Sequence, residues 1–348
     1  MRHVIALDVG GTGMKAALVG ADGALLHEAR RATGREHGAD AVVENILAFA
    51  AELRRVGEER FGVPAEAAGV AVPGIIDAEQ GIAVFAANLG WRDVPLRRLL
   101  SERIGVPVAL GHDVRTGGLA EGRLGAGRGA DRFLFLALGT GIAGAIGIDG
   151  RVEPGAHGSA GEIGHVVVRP DGPPCGCGQH GCLERLASAS AVTEAWAAAS
   201  GDPEADAADC AKAVDSGDPR AVAVWQQAVG ALADGLVTAL TLLDPRTLII
   251  GGGLAEAGET LFVPLRAAVE ERITFQPLPG IVPAALGDTA GCLGAGLLAW
   301  DLLAAAEAAT DATGAAIATA REPVPGAPES VPDDRPGTDP RPSTEVST

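Results

Sequence analysis

Two glycine-rich stretches of one design decide the fold: ALDVGGTGMKAALVGADG at residues 6–23 and LALGTGIAGAIGIDG at residues 136–150. In each stretch a short apolar run leads into a Gly-Thr-Gly turn, a second apolar run and an Asp-Gly turn, which is typical of a hairpin of buried strands. A repeat of this kind indicates two similar halves, each of which presents one glycine hairpin to a shared cleft. Elsewhere strands and helices alternate, which predicts the α/β class.

The two hairpins differ in charge. Asp8 stands three residues before Gly11, whereas Leu136 stands three residues before Gly139. Because a buried carboxylate is costly without a partner or a task, only the first hairpin is predicted to have a charged role. The second hairpin matches G-x-G-x-x-G, but a strand follows it instead of the helix that a dinucleotide site requires. The exposed amides of both turns can instead hold phosphate oxygens, with an ordinary tight turn as the alternative.

Apolar periodicity predicts the remaining elements. Strands are expected at residues 25–30, 68–72, 106–110, 247–250 and 281–285, and helices at 39–60, 96–104, 113–123, 183–200, 221–243, 259–272 and 292–308. The glycines at 251–253 separate a strand from a helix, so the backbone there can approach a flat ligand such as a nucleoside. From Thr310 the chain is rich in Pro, Gly, Ser, Thr and acidic residues, which predicts a disordered tail over residues 310–348.

A cysteine cluster lies within residues 158–184. Three cysteines follow a C-x-C-x(4)-C spacing and a histidine lies ten residues upstream, so a closed tetrahedral zinc site is predicted, with unrelated surface thiols as the alternative. The expected ligands are His165, Cys175, Cys177 and Cys182. A set of four protein ligands is typical of structural zinc, since catalytic zinc keeps one position open. The metal is therefore expected to fix Glu162 and Glu184, which flank the cluster, rather than to act as the catalyst.

Composition excludes several classes of function. The 348 residues are 47% hydrophobic and 21% charged, which is typical of a folded chain with room for two lobes. The net charge of −18 opposes nucleic acid and anionic membranes as partners. No signal peptide is expected because Asp8 interrupts the first apolar run, and no apolar run is expected to cross a bilayer. We therefore expect a cytoplasmic protein, in which metal is favoured over disulfides for the cysteines.

Six segments carry a resemblance to a known family. DVGGTGMK, VAVPGIID, NLGW, GEIGH, CGCGQHGCLE and LIIGGG resemble, in order, the signature segments of the ROK family of sugar kinases, over about residues 4–300. The resemblance implies an actin-like or hexokinase-like, ribonuclease H-like fold: two duplicated lobes with mixed sheets and a central cleft. It implies lobes at residues 1–125 and 126–309, ATP with Mg²⁺, a structural Zn²⁺, and phosphoryl transfer to the 6-hydroxyl of a hexose.

The resemblance also implies roles for single residues. Asp113 would be the general base, which agrees with a reaction that mainly needs positioning, charge neutralisation and one proton acceptor; a helix N-cap is the alternative. Asp8 would position magnesium through water, and His165 would bind zinc with one ring nitrogen and sugar with the other. The residues expected around the nucleotide are Asp8, Gly10, Gly11, Thr12, Lys15, Gly139, Thr140, Gly141, Gly252 and Gly253. Those expected around the sugar are Asn88, His112, Asp113, Glu162, His165 and Glu184.

One position departs from the family pattern. Most members carry Asn-Asp where this chain has His112-Asp113, which bears on the substrate and not on the reaction. Glucose and N-acetylglucosamine are the first candidates, and a sugar-like C7-cyclitol or an amino sugar of a biosynthetic pathway is the alternative. Polyphosphate could replace ATP, because phosphate-holding hairpins do not specify the donor.

The competing class is regulatory. ROK repressors resemble the kinases but carry an N-terminal helix-turn-helix domain, whereas here the kinase motif begins at residue 4. The acidic charge agrees with the absence of a nucleic-acid partner. The presence of Asp113 and of both hairpins argues against a sugar-sensing module without turnover. We expect a homodimer that binds a small sugar or polyol.

Overall fold

The structure, a computed structural model, describes the backbone of residues 1–319. Its strands are β1 (His3–Val9), β2 (Gly13–Gly20), β3 (Leu25–Ala32), β4 (Ala68–Val72), β5 (Ile75–Asp77), β6 (Ile82–Ala86), β7 (Trp91–Val94), β8 (Val108–His112), β9 (Arg132–Leu138), β10 (Ile142–Ile148), β11 (Arg151–Val152), β12 (Thr247–Gly251) and β13 (Gly280–Pro283). Its helices are α1 (Ala39–Phe61), α2 (Leu96–Ile104), α3 (Asp113–Leu124), α4 (Glu184–Ala187), α5 (Ala189–Ser200), α6 (Ala207–Asp215), α7 (Pro219–Leu243), α8 (Glu259–Arg272) and α9 (Ala290–Thr319).

Two five-stranded sheets repeat one topology. The first has the order β3-β2-β1-β4-β8 and the second β11-β10-β9-β12-β13. In the first sheet β1 pairs antiparallel with β2 and parallel with β4, which is parallel to β8. In the second sheet β9 pairs antiparallel with β10 and parallel with β12, which is parallel to β13. The glycine-rich repeat thus corresponds to a structural repeat in which each hairpin joins the first two strands of its sheet.

A third, antiparallel sheet was not predicted from the sequence. It contains β5, β6 and β7, and follows the Pro73-Gly74 turn at the end of β4. Its strands are only three to five residues long, which is too short for a clear alternation of apolar and polar positions. The turn between β6 and β7 carries Asn88, so this small sheet positions one of the predicted sugar-binding residues.

Helix α7 shows how local signals define an element. Asp218 caps its first turn by accepting from the backbone N–H of Arg220, and Pro219 occupies the first helical position, where no N–H donor is needed. One face of α7 is buried in the core of the second half, where the Trp225 indole donates to the carbonyl of Thr260 at 2.9 Å. The segment before it, where the sequence analysis predicted neither a strand nor a helix, forms α6 with a capping box between Asp206 and Asp209.

The last helix packs on the first sheet. Its residues Cys292, Ala295 and Ala299 form a small apolar cluster with residues of β1, β2 and the chain before β4. A Cβ atom on Gly69 would lie 1.8 Å from the carbonyl oxygen of Ala295, so the close approach of α9 to β4 requires glycine. The sequence had placed this helix with the second lobe, and the boundaries 1–125 and 126–309 stay a prediction.

The C-terminal expectations are met only in part. Helix α9 runs to Thr319, past the predicted end at 308, because the alanines of this stretch favour helix. The remainder of the predicted tail, residues 320–348, lies outside the described residues. Residues Met1–Ala305 form one compact unit.

Two helical stretches are long and apolar enough to cross a membrane by length and composition alone. They are Pro219–Leu243 and Gly287–Thr310, and the sequence analysis had expected no such run. In an 18-residue apolar segment of each stretch, 50% of the first segment and 39% of the second are buried inside the fold. Core helices of folded proteins pass the same test, because a helix that packs on several sides is apolar on most faces.

Candidate active site

The carboxyl ends of three parallel strands bring Asp8 and Asp113 to one edge of the first sheet. Asp8 of β1 lies opposite Ala71 of β4, and Val72 of β4 lies opposite His112 of β8. Asp113 follows directly as the first residue of α3. The first glycine hairpin leaves β1 at the same edge, so the predicted base, the predicted magnesium-positioning acid and one phosphate hairpin lie together. Ligands of α/β sheets commonly bind at this kind of edge.

Asp113 is held by the start of its own helix. Its Oδ1 accepts from the backbone N–H of Val114 at 2.7 Å. Burial raises the pKa of Asp113, while the Val114 hydrogen bond and the charge of Arg115 act in the opposite direction. The N-cap of α3 is His112, whose Nδ1 accepts from the backbone N–H of Arg115 at 3.4 Å. Asp113 is therefore not the residue that caps this helix.

His112 lies between two carboxylates. Its Nδ1 is 3.3 Å from Asp113 Oδ1, and its Nε2 is 3.8 Å from Glu162 Oε1. Burial lowers the pKa of His112 to about 4, with Arg115 contributing and Glu162 opposing. The imidazole is therefore neutral near pH 7, with one nitrogen as a donor and the other as an acceptor. This contact also joins α3 to the Glu162 segment, which follows the second sheet's hairpin in the chain.

Asp8 lies in a charged cluster that the sequence showed only in part. Burial raises the pKa of Asp8 to about 6; Lys15 opposes the shift, and Asp113 and Asp288 add to it. Lys15 Nζ is 3.9 Å from Asp8 Oδ2 and also bonds to the Asp288 carboxylate. Arg30 Nη2 is 2.6 Å from Asp288 Oδ2. Because Asp113 and Asp288 raise the pKa of Asp8, a cation beside these carboxylates would stabilise their charged forms.

Asp288 and Arg30 were missed by the sequence analysis. They lie 258 residues apart in the chain, and no local pattern links them. The available signal was the segment GDTAGCLGAG, in which an acid precedes a run of small residues. The side chain of Asp8 leaves no room for a Cβ atom at one of these small residues, Gly291, because that atom would lie 2.3 Å from Asp8 Cγ.

The first hairpin is fixed by two polar contacts. Gly10 N–H donates to the carbonyl of Gly13 at 2.9 Å across the turn. The buried Thr33 donates from Oγ1 to the carbonyl of Gly10 at 2.7 Å. A Cβ atom on Gly11 would lie 3.3 Å from Asn88 Nδ2, so the predicted sugar-binding amide contacts the hairpin itself.

The second hairpin contacts the triple glycine. Gly252 has φ +85°, and a Cβ atom there would lie 2.6 Å from the carbonyl of Leu138, at the end of β9. The Gly139–Gly141 turn and the predicted nucleoside-facing segment are thus adjacent. Gly253, beyond the contact, has no neighbour within 4 Å of a Cβ position. Thr140 is exposed at the hairpin tip, as Thr12 is in the first hairpin.

Glu184 lies against the second hairpin. Its Oε2 accepts from the backbone N–H of Ile142 at 2.9 Å, and a Cβ atom on Gly141 would lie 2.4 Å from the same oxygen. The sequence placed Glu184 on the sugar rim only. The structure shows that Oε2 is engaged by the hairpin, and no hydrogen bond to Oε1 is formed among the described residues.

The four predicted metal ligands lie together. One donor atom each of His165, Cys175, Cys177 and Cys182 lies within 4.8 Å of all the others. His165 Nδ1 is 3.6 Å from Cys175 Sγ, and Cys177 Sγ is 3.6 Å from Cys182 Sγ. Tetrahedral zinc with Zn–S bonds of about 2.3 Å separates two sulfurs by about 3.8 Å, so the donor set fits this ion.

The metal-ligand loop is shaped by its backbone. Isolated β-bridges pair Val167 with Cys182 and Pro174 with His180. Cys175 N–H donates to the carbonyl of Gln179 at 2.8 Å, which closes a tight turn around Cys177. Gly181 has φ +66°, and a Cβ atom there would lie 1.4 Å from the carbonyl of Arg169. Only glycine allows the two arms of the loop to approach this closely.

Known proteins of one family share this architecture. The sequence profile of the ROK family matches residues 4–301. A glucokinase of Thermotoga maritima is 37% identical over 308 residues, covering 84% of this chain and 95% of the relative. The crystal structure of a ROK hexokinase from Thermus thermophilus matches with a TM-score of 0.77 at 36% identity, covering 86% of this chain and 99% of that chain.

A ROK family glucokinase from Streptomyces griseus, solved in complex with glucose and AMPPNP, matches with a TM-score of 0.73. It is 32% identical and covers 86% of this chain and 99% of that chain. These likenesses confirm the predicted actin-like fold with duplicated lobes and the predicted enzyme class. The regulatory hypothesis is not favoured. The chain belongs to the ROK family, and it is an ATP-dependent sugar kinase of that family.

Proposed function

We propose that this kinase phosphorylates the 6-hydroxyl of a hexose, glucose or N-acetylglucosamine, with Asp113 as the general base. The observation that carries the proposal is the shared edge of the first sheet, where Asp113 lies beside Asp8 and the first glycine hairpin. A base, a cation-binding acid and a phosphate-holding turn are the parts that phosphoryl transfer requires.

The environment of Asp113 suits a base. The raised pKa strengthens the carboxylate as a proton acceptor, since the driving force for proton transfer grows with the pKa of the acceptor. Oδ1 is engaged by Val114 N–H and faces His112, so Oδ2 is the oxygen left to accept the hydroxyl proton. A position at the start of a helix that His112 caps fixes the direction of this oxygen.

The residues proposed to bind the nucleotide and its magnesium act either through acidic side chains or through the backbone. Magnesium, when bound, neutralises charge on the transferring phosphoryl group. Asp8 would hold one of its waters, and Lys15, now paired with Asp288, lies next to it. Amides of the two hairpins would hold phosphate oxygens, and Gly252 and Gly253 would lie along the nucleoside. The residues assigned to phosphates are Gly10, Gly11, Thr12, Lys15, Gly139, Thr140 and Gly141.

The sugar rim would combine donors and acceptors from both halves of the chain. Asn88 comes from the small sheet, and His112 and Asp113 come from the first large sheet and α3. Glu162, His165 and Glu184 come from the segment around the metal cluster. Because its Nδ1 accepts from Arg115 N–H, neutral His112 carries its proton on Nε2 and can donate to a sugar hydroxyl, as the amide of the family's Asn can. For this reason hexoses remain the proposed substrates despite the His112 departure.

The cysteine cluster would hold a structural zinc ion. Four protein ligands leave no open position for water, so the ion would stabilise the loop and not take part in the reaction. His165 would ligate through Nδ1, which faces Cys175, and this leaves Nε2 free for a sugar oxygen.

A coupled ADP-release assay tests the acceptor. Glucose, N-acetylglucosamine, N-acetylmannosamine, fructose, kanosamine and C7-cyclitols would be compared by kcat/KM, with ATP and polyphosphate as alternative donors. Glucose or N-acetylglucosamine with ATP is expected to give the highest value, and phosphorus NMR of the product should show the ester at the primary carbon. A higher value for kanosamine or a cyclitol would overturn the proposed acceptor while leaving the kinase assignment in place.

Assembly and location are part of the same proposal. We expect a homodimer in the cytoplasm without nucleic-acid or membrane partners, and the net charge of −18 supports the last point. Light scattering on the purified protein would give the mass in solution, and a monomer mass would contradict the dimer.

A further inference from the structure

A large cavity lies outside the proposed transfer site. Its volume is about 1020 Å³, and it opens between β5, α3, the segment from Arg151 to Gly158, and α9. Of the residues assigned to nucleotide or sugar, it shares only His112. Small-molecule sites commonly enclose about 300–1000 Å³, so the cavity is large enough for a metabolite.

One wall of the cavity carries arginines without full neutralisation. Arg115 is only 9% exposed, and its Nη1 donates at 3.4 Å to the carbonyl of Ala160. Within the described residues no carboxylate oxygen lies within 4.0 Å of Arg115 or of Arg151, which also lines the cavity. A third arginine, Arg123, is paired with Asp301 at 2.8 Å. Arg115 interacts electrostatically with Glu162 and Asp113, but neither acid lines the cavity. Arg115 and the exposed Arg151 therefore present positive charge to the cavity, which favours an anion.

On the side of β5, the cavity carries two carboxylates. Asp77 Oδ1 accepts from the backbone N–H of Gln80 at 2.8 Å, and Glu79 is exposed. A simple anion would gain nothing from these two acids. A ligand that also carries hydroxyl groups would, because a hydroxyl donates to a carboxylate. Charge and hydrogen-bonding capacity together indicate a ligand with a phosphate at one end and a polyol at the other.

The cavity joins both halves of the chain. A Cβ atom on Gly158 would lie 2.9 Å from the carbonyl oxygen of Ile76, so the segment after β11 directly contacts β5. Arg151 belongs to the second sheet and Arg115 to the helix that follows the first sheet. A phosphate held by both arginines would bridge the two halves behind His112.

We propose that this cavity is a binding site for a phosphorylated sugar, with the phosphate on Arg115 and Arg151 and the sugar hydroxyls toward Asp77 and Glu79. Phosphate suits this wall because guanidinium groups bind it with paired, charge-assisted hydrogen bonds. The site is separate from the site of phosphoryl transfer.

Calorimetric titration with glucose 6-phosphate tests the site. The titration is made with glucose and AMPPNP in saturating amounts, so that the transfer site is filled. One saturable event is expected, weakened about tenfold or more in Arg151→Gln because one charged contact is lost. Arg98→Gln is the matched control: it removes the same charge from an exposed pair on α2, far in the chain from the cavity, and should bind as the wild type does.

A second variant tests the cavity without changing charge. Ala304→Phe adds a ring at a lining position of α9 and should also weaken binding, about tenfold or more, because the ring occupies part of the cavity. No saturable binding in the wild type, or equal binding in Arg151→Gln and wild type, would overturn the proposal, as would equal losses in Arg151→Gln and Arg98→Gln. Turnover measured on the same samples keeps this result apart from the proposed function, because Arg151→Gln should phosphorylate sugar at the wild-type rate.

Discussion

The first glycine hairpin is bordered by charged side chains, whereas the second is bordered by backbone and a single glutamate. Asp8, Lys15 and Asp288 lie beside the first. Beside the second lie the carbonyl of Leu138, the close approach of Gly252, and Glu184. The same arrangement of strand, glycine turn and strand therefore has different surroundings in its two copies: acids and a lysine lie beside the first, and main-chain groups with one glutamate lie beside the second.

The asymmetry extends across each sheet. In the first sheet β8 ends at His112 and leads into Asp113, while its counterpart β13 in the second sheet ends at Pro283 and leads into Ala284. At the carboxyl ends of the corresponding strands, Asp8 and His112 thus lie in the first sheet, whereas β9, β12 and β13 of the second sheet end at Leu138, Gly251 and Pro283. This division suggests that the first half carries the proton and metal chemistry and that the second half positions the nucleotide.

The largest effect is expected from Asp113→Asn. The amide keeps the shape of the side chain but cannot accept the hydroxyl proton, so kcat should fall by about 10³-fold or more while glucose binding is largely kept. Stopped assays for turnover and calorimetry for binding would measure the two separately. Asp40→Asn, an exposed change in the first turn of α1, is the matched control. Appreciable turnover by Asp113→Asn would remove this residue as the base.

Cys177→Ser should affect the second half without touching the acids of the first. Loss of one of four ligands is expected to reduce bound zinc from one ion per chain to a small fraction and to raise the KM for glucose about tenfold, because Glu162 and His165 lose their fixed positions. Metal analysis of the purified proteins and initial-rate kinetics would measure this. Cys210→Ser, a buried thiol outside the cluster, should keep both values. A wild-type protein without zinc would end the structural-metal argument.

The sequence predicted the parts of the site that depend on neighbours in the chain. Gly11, Gly139 and the cysteine spacing are local patterns, and the structure places them in hairpins and in one ligand cluster. The contact of Arg30 with Asp288 could not be predicted, because it depends on the packing of α9 against the first sheet. Nor could the contact of Glu184, which needs the hairpin and α4 in their folded positions.

The same limit applies to the fold. Buried strands and long helices follow from periodicity, whereas the short strands β5, β6 and β7 have too few residues to show it. Glu121 gives another example: its buried carboxylate accepts from the backbone N–H groups of Ala126, Ala285 and Leu286, and so ties α3 to a loop 164 residues away. Such a contact is visible only in three dimensions.

Alanine at one glycine of each hairpin compares the contacts that the two turns make. A methyl on Gly141 would lie 2.4 Å from Glu184 Oε2 and displace the acceptor of Ile142 N–H, so the KM for ATP should rise about tenfold. In Gly11→Ala the methyl would lie 3.3 Å from the end of Asn88, which can move, and a rise of about threefold is expected. Initial rates at saturating glucose would measure both. An equal or larger effect at Gly11 would contradict the importance of the close contact between Gly141 and Glu184.

The last comparison concerns His112 and the pH dependence of stability. Burial lowers the pKa of His112 to about 4 from 6.5, so the folded protein resists the proton that the unfolded chain accepts. The contribution of neutral His112 to the free energy of unfolding is therefore fully present above pH 6.5 and is lost as the pH falls toward 4. The groups that face the ring are Asp113, Glu162 and Arg115. As the pH falls from 6.5 toward 4, the free energy of unfolding of His112→Asn should decrease by up to about 3 kcal/mol less than that of the wild type.

Urea unfolding of both proteins at pH values between 7 and 4 measures this difference. Asp8, whose pKa burial raises to about 6, changes stability in the opposite direction over part of the window, but it is present in both proteins and cancels in the comparison. His37→Asn changes a histidine whose side chain is 72% exposed, and its free energy of unfolding should depend on pH as that of the wild type does. If the free energy of unfolding of His112→Asn also changed with pH as that of the wild type does, His112 would not contribute to the difference between the two halves. That difference would then depend on Asp8 and Asp113 alone.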